Sequence, residues 1–294
     1  MTTTAAHVNT NGSEPATVDP VEVYVPTVTG LPPLRPYLRA IWERRPFMWA
    51  MARTQLKAEH YGSVIGQAWL ILDPLILAFI YLLLRSVVRP LGDPAERAFL
   101  ISHLIMAVFF FHYTNRTLQQ GASCIEKNKQ MILNTSVPRG TFPLVTMIRA
   151  VLDFLPTLAV YFVIHALLGQ PFGISLAWLP VFFVLQTLFT LGCILFFAPL
   201  LVFFRDTGGF LPYTTRIWLF TTPVLYTASE IPENIRWLLI WNPLYPFFAA
   251  YEQVFQDQAV SVGYLSAAAA WTVGILLLGA FVFLVRERDF AVRL

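Results

Sequence analysis

Positions 154–204 hold 51 consecutive residues without a single Asp, Glu, Lys or Arg. No other feature restricts the fold as much. Soluble domains carry about a quarter charged residues, and a run this long has no polar face to offer water. A helix crossing a hydrocarbon layer of about 30 Å needs about 20 apolar residues. The run therefore accommodates two crossings, with GQPFGIS at 169–175 as the break between them. In lipid the backbone must satisfy its own hydrogen bonds, which makes such segments helices.

The whole chain has the same character. Its 294 residues are 56% hydrophobic and 13% charged. Apolar runs predict six spans, at 63–88, 98–118, 143–168, 176–204, 210–228 and 262–285. Basic residues outside the spans set the orientation. Thirteen fall on the side of both termini and four on the other, which predicts cytoplasmic termini in a multi-pass plasma-membrane protein. Residues 1–30 lack the basic-then-apolar order of a secretory signal and read as a flexible cytoplasmic tail. The net charge of +3 points to no nucleic-acid partner. Three lysines against 17 arginines hint at a GC-rich genome. Two isolated cysteines, with no CxxC, predict neither a disulfide framework nor a metal site; Cys193 reads as a small packing residue.

Four stretches are not simple spans. Residues 31–60 mix Trp42, Phe47, Trp49 and Met51 with Arg44, Arg45, Arg53 and Lys57. That suits a helix lying in the membrane interface, aromatics toward acyl chains and bases toward lipid phosphates, with Pro46 dividing it. Membrane anchoring is the plainer role, and a basic collar where an anionic lipid-linked substrate enters is the sharper one. Gly62 and Gly66 have the spacing that lets helices approach closely. Asp73 precedes Pro74 in a span, where an acid is costly unless it is paired or faces a polar cavity. Loop 116–142 is longer than a link between two spans needs, and its helical content suggests docking to another protein. Segment 229–261 contains IPENIRWLLIW and YPFFAAYEQVF, each 11 residues long. At 1.5 Å per residue neither crosses a bilayer, so both read as short re-entrant helices.

Catalytic signatures are missing. There is no GxxxxGK[ST] phosphate loop, no HExxH and no GxSxG. If the machine uses ATP, the nucleotide site is on another chain. His103, His112 and His165 read as hydrogen-bonded packing residues, and Arg149 lies four residues before Asp153 as a neutralising pair.

FFRDTGGFLPYTTRIWLFTTPVLYT (203–227) remains to be explained, with a charge pair, two glycines and an internal arginine in a near-membrane span. This stretch, together with LKAEHYGSVIGQAWLILDPLI (56–76), IEKNKQMILNTSVPRGTFPLV (125–145) and IPENIRWLLIWNPLYPFFAAYEQVF (231–255), resembles the membrane subunit of ABC-2-type polysaccharide exporters. These move O-antigen, teichoic acid and related lipid-linked glycans. The likeness covers most of 35–290, and departs from the family at Asp73, where Asn is usual. The resemblance implies an all-α permease domain over 61–290 that binds no cofactor of its own. It implies a homodimer with two cytoplasmic ATPase subunits that hold ATP and Mg. Loop 125–140, with Lys127, Lys129, Asn134, Val137, Pro138 and Arg139, matches the family's coupling helix, and 231–255 its outer gate helices. Arg205 and Asp206 would then end span four, and Gly208 and Gly209 would turn the chain. Arg216, about 9 Å further along, would meet a pyrophosphate near the channel mouth. Sugar rings stack their C–H faces on aromatic planes, which nominates Trp69, Tyr81, Tyr213, Trp218, Phe220 and Tyr226 as channel lining; interfacial Trp and Tyr belts are the alternative. Actinobacterial members of the family suggest cell-wall galactan as cargo. A drug or small-lipid exporter, a membrane glycan transferase and a proton-coupled flippase stay open as rivals.

Overall fold

In a computed structural model the chain is described at residues 33–59, 66–88, 93–232, 239 and 241–293. The expected tail, Gly62 and most of the first outer helix (233–238 and 240) lie outside these residues. The described residues are helical, with no strand among them. Helices α1 (Leu34–Glu43) and α2 (Arg45–Glu59) precede α3 (Trp69–Val88) and α4 (Pro94–Ala122). Two short pieces, α5 (Cys124–Lys127) and α6 (Lys129–Asn134), lead into α7 (Thr141–Leu167) and α8 (Leu179–Phe203). Then come α9 (Thr207–Thr221), α10 (Tyr245–Phe255) and α11 (Val262–Arg286).

Helix boundaries follow local chemistry. The Asp93 side chain accepts the Glu96 N–H at 2.8 Å, with Pro94 in the first turn, so α4 starts earlier than its apolar run. Gly169 has φ +66, a left-handed conformation that glycine adopts without strain, and it ends α7 where GQPFGIS was expected to break the chain. Helices α1 and α2 separate at Arg44, and Pro46 sits in the first turn of α2, where its missing N–H costs no bond. Gly66 also has a positive φ, +56, and starts a 3₁₀ turn. That conformation is one glycine adopts without strain.

Five helices among the described residues are long and apolar enough to cross a membrane: Trp69–Val87, Pro94–Ala122, Thr141–Leu167, Ile174–Phe203 and Val262–Asp289. The fifth expected span, 210–228, is helical only as far as Thr221. Helix α9 has 15 residues, about 22 Å at helical rise, short of the hydrocarbon thickness. It stops because Pro223 disfavours a helical residue before it, and Thr222 is extended at φ −95, ψ 144. Tyr226 is thus beyond the helix. The glycine hinge is corrected too: the chain turns at Phe204, Arg205 and Asp206, and Gly208 and Gly209 lie inside the first turn of α9.

Helix α4 is the hub, packed against α3, α7, α8 and α9. Its Phe110 meets Tyr251 of α10 with ring centroids 4.1 Å apart, and Phe154 of α7 stacks on Phe183 of α8 at 5.3 Å. The buried Gln186 amide is paired, as an apolar surrounding demands. The Gln186 amide donates to Phe110 O and Thr114 Oγ1 at 3.1 and 2.8 Å, and accepts from Tyr251 Oη at 2.6 Å. Pro74 leaves the Leu70 carbonyl without its helical donor, and the Thr157 hydroxyl of α7 donates to it at 3.1 Å. Helices α8 and α11 meet backbone to backbone at Gly192 and Gly279. Cys193 is buried in this core.

Candidate functional site

The end of the bundle where α2 and α11 finish and α9 begins collects the basic residues. Tyr37 of α1, the Arg139–Gly140 turn and Glu287 beyond α11 lock together there. The Arg139 backbone N–H donates to Glu287 Oε1 at 2.8 Å, and its guanidinium to the Glu287 carbonyl at 2.8 Å. Gly140 N–H donates to Tyr37 Oη at 3.1 Å. Burial first, then the Glu287 charge, holds the Tyr37 phenol well above its ordinary range, so it remains a donor to that carboxylate. Gly140 is required: a Cβ would lie 2.6 Å from Tyr37 Oη.

The resemblance assigned 125–140 to docking, and the structure divides that loop. Lys127, Lys129 and Asn134 are exposed, with Leu133 beside them at 48% exposure. Val137, Pro138 and Arg139 are half-buried at the anchored end. Beside it lies a cleft of about 410 Å³ lined by Glu126, Lys129, Arg205 and Arg293.

A second polar cluster sits where α2 ends against α4 and α7. The Glu59 carboxylate accepts from Arg116 Nη2 at 3.1 Å, from Gln120 Nε2 at 3.4 Å and from Arg149 Nη2. Arg149 Nε faces Asp153 Oδ2 at 3.7 Å, the expected pair. Burial pushes the Glu59 pKa up, but the charges of Arg149 and Arg116 outweigh it and hold the carboxyl below its ordinary 4.5. Behind the cluster a cavity of about 30 Å³ is lined by His112, Arg116, Gln120, Asp153 and Thr157. Asp73 faces His112 at 3.5 Å, a partner for the acid beside Pro74.

The expected interface residues make local contacts. Arg45 lies over Trp42 at 5.1 Å and Arg53 over Trp49 at 4.6 Å, while Arg44 donates to Ala40 O at 3.1 Å and Lys57 is exposed. Leu34, Leu38 and Trp42 form an exposed apolar stripe on α1, the face such a helix sets into acyl chains. On α9, Phe210, Tyr213, Ile217 and Phe220 make a second exposed stripe, with Arg216 over Tyr213 at 5.8 Å. Tyr81 of α3 lies close enough to feel the Arg216 charge. Trp69 is exposed on α3, whereas Trp218 turns inward against Phe189 at 6.2 Å. Tyr226 packs beside the Phe220 carbonyl at 3.3 Å.

At the opposite end Arg85 of α3 reaches Leu225 O at 2.9 Å and Glu230 Oε1 at 2.7 Å. His103 contacts Tyr226 O at 3.2 Å and His165 contacts Ser102 at 2.8 Å, packing roles as expected. Helix α10, the second expected gate element, is an 11-residue helix buried along nearly its whole length. Among the described residues no three His, Cys, Asp or Glu side chains converge as a metal site would require. Sequence reasoning missed Tyr37, Glu59, Arg116 and Glu287. Glu59 had a signal, being the one acid between Glu43 and Asp73; the others had none before their partners were placed.

Two proteins named O-antigen export system permease protein RfbA, from Klebsiella pneumoniae, are 29% identical to this chain. One matches over 223 residues (76% of this chain, 84% of the relative) and the other over 212 (72% and 80%). The protein of that name from Myxococcus xanthus is 26% identical over 257 residues, 86% of this chain and 97% of its own. No family model matches the chain. The resemblance to ABC-2 polysaccharide-exporter permeases is borne out by these relatives.

Proposed function

We propose that this chain is the membrane subunit of an ATP-driven exporter of lipid-linked polysaccharide, working as a homodimer with two cytoplasmic ATPase subunits. One observation carries the reading: the similarity to permeases named for O-antigen export runs through 72–86% of the chain rather than one motif. The geometry supports it. Helix α8 ends and α9 begins at the basic end, yet Leu225 and Glu230 meet Arg85 at the opposite end. The stretch from Thr207 to Glu230 therefore makes the sixth crossing, its helical part completed by an irregular segment packed in protein. That leaves both termini on the basic side, cytoplasmic by the positive-inside rule.

The exposed stripe of α9 and the exposed α3 face of Ile76, Ile80, Leu83 and Val87 are the faces that two copies bring together around a channel. Tyr213 and Phe220 offer aromatic planes to a sliding glycan, and Arg216 a charge to its phosphate. Lys127, Lys129 and Asn134 dock into the ATPase, which holds ATP and Mg. The clasp of Tyr37, Arg139 and Glu287 passes its movement to α1 and α11. Helix α10 closes the outer mouth. Cell-wall galactan is the first cargo to test. Deleting the gene should leave lipid-linked polymer inside the cell and remove it from the surface. The wild-type gene should restore it, and a Lys127→Glu/Lys129→Glu variant should not. Normal surface polymer in the deletion strain refutes the reading.

A further inference from the structure

The Glu59 cluster is more than an ion pair. Arg116 and Gln120 come from α4 and Arg149 from α7, so donors from two core helices converge on one carboxylate supplied by the interface helix α2. A planar guanidinium pair with an amide beside it is the donor set that recognises phosphate oxygens. Arg116 and Arg149 face the carboxylates of Glu59 and Asp153. Withdrawing Glu59 takes one carboxylate away from the two arginines, beside a small cavity whose lining is mainly apolar.

We propose that Arg116, Gln120 and Arg149 form a binding site for the diphosphate of a lipid-linked substrate, and that Glu59 occupies it as a built-in stand-in until the substrate displaces it. This rests on the export reading above. Glu59 terminates α2, whose exposed Arg45, Arg53 and Lys57 precede it along the same helix. Asp73 and His112 flank the cavity as a pair at 3.5 Å.

The test measures binding to the purified full-length chain in detergent by native mass spectrometry. The probes are a polyprenyl diphosphate, inorganic pyrophosphate and phosphatidylglycerol. An internal competitor lowers apparent affinity by the fraction of time the site is open. Glu59→Gln should therefore bind the polyprenyl diphosphate about tenfold more tightly, for a site open about a tenth of the time. Inorganic pyrophosphate should gain in the same direction, and Arg116→Gln in the Glu59→Gln background should abolish the gain. If that double variant fails to fold, Arg116→Lys, which keeps charge but loses the fork, should reduce it. Unchanged or weaker binding in Glu59→Gln overturns the proposal, since a merely structural ion pair predicts no gain. An equal gain for phosphatidylglycerol also overturns it, because the site would then read any lipid phosphate. Loss of surface polymer on gene deletion without a gain in Glu59→Gln sinks the site and leaves the export reading standing. A gain with surface polymer intact does the reverse.

Discussion

Replacing Gly279 by alanine should separate the two helices that pack most extensively. A methyl at 279 falls on the Gly192 carbonyl, and one at 192 would sit 2.7 Å from Leu276 N, where ordinary contact begins near 3.4 Å. The atoms in the way are backbone, so no side chain can swing aside and α8 and α11 must move apart by several tenths of an ångström. A gap of 0.5–1 Å forfeits roughly a quarter to a half of each dispersion contact along the seam, and overpacking of this kind costs about 1–3 kcal/mol. Gly274, on the same helix, has nothing within 4 Å of its added methyl. Gly274→Ala should instead gain up to about 1 kcal/mol from helix propensity. The two variants should thus differ by about 1–4 kcal/mol, or roughly 2–16 °C in apparent Tm at 2–4 °C per kcal/mol. The assay heats detergent-solubilised protein and follows the monodisperse fraction by size-exclusion fluorescence. A Gly279→Ala variant melting within about a degree of Gly274→Ala would refute the close backbone approach.

Glu287→Ala removes the acceptor for the Arg139 N–H and for Tyr37; a buried charge-assisted bond of this kind is worth about 1.5–3 kcal/mol, so apparent Tm should fall, and co-purification of the ATPase should weaken with it. Thr157→Val keeps the shape but leaves the Leu70 carbonyl, already deprived by Pro74, with no donor; the same melting assay should show a loss of about 0.6–1.7 kcal/mol, the range seen for hydrogen bonds between membrane helices. Because the Glu59 carboxyl is held below its ordinary 4.5 in the folded chain, its contribution is present above that pH and lost as pH falls through the lower folded value. The Tm difference between wild type and Glu59→Gln should therefore be positive at pH 7 and shrink below pH 4.5; a constant difference would show that Glu59 is not held by the arginines.

What the chain determines by itself is whatever depends on neighbours in sequence. The uncharged run, the GQPFGIS break, the proline in the first turn of α2 and the arginines over Trp42 and Trp49 are local, because helix formation in lipid needs only apolar length and its caps. The four stretches that place the chain beside the export permeases are local too. The tertiary structure decided what depends on pairing in a medium that offers no water. A carboxylate, an arginine or a proline-orphaned carbonyl in lipid must find its partner on another helix, and the Arg139–Glu287 pair lies 148 residues apart in sequence. Glu59 with Arg149, Thr157 with Leu70 and Gly192 with Gly279 are of the same kind. Each became visible only once the helices were laid side by side, for the chain order carries no record of which faces meet.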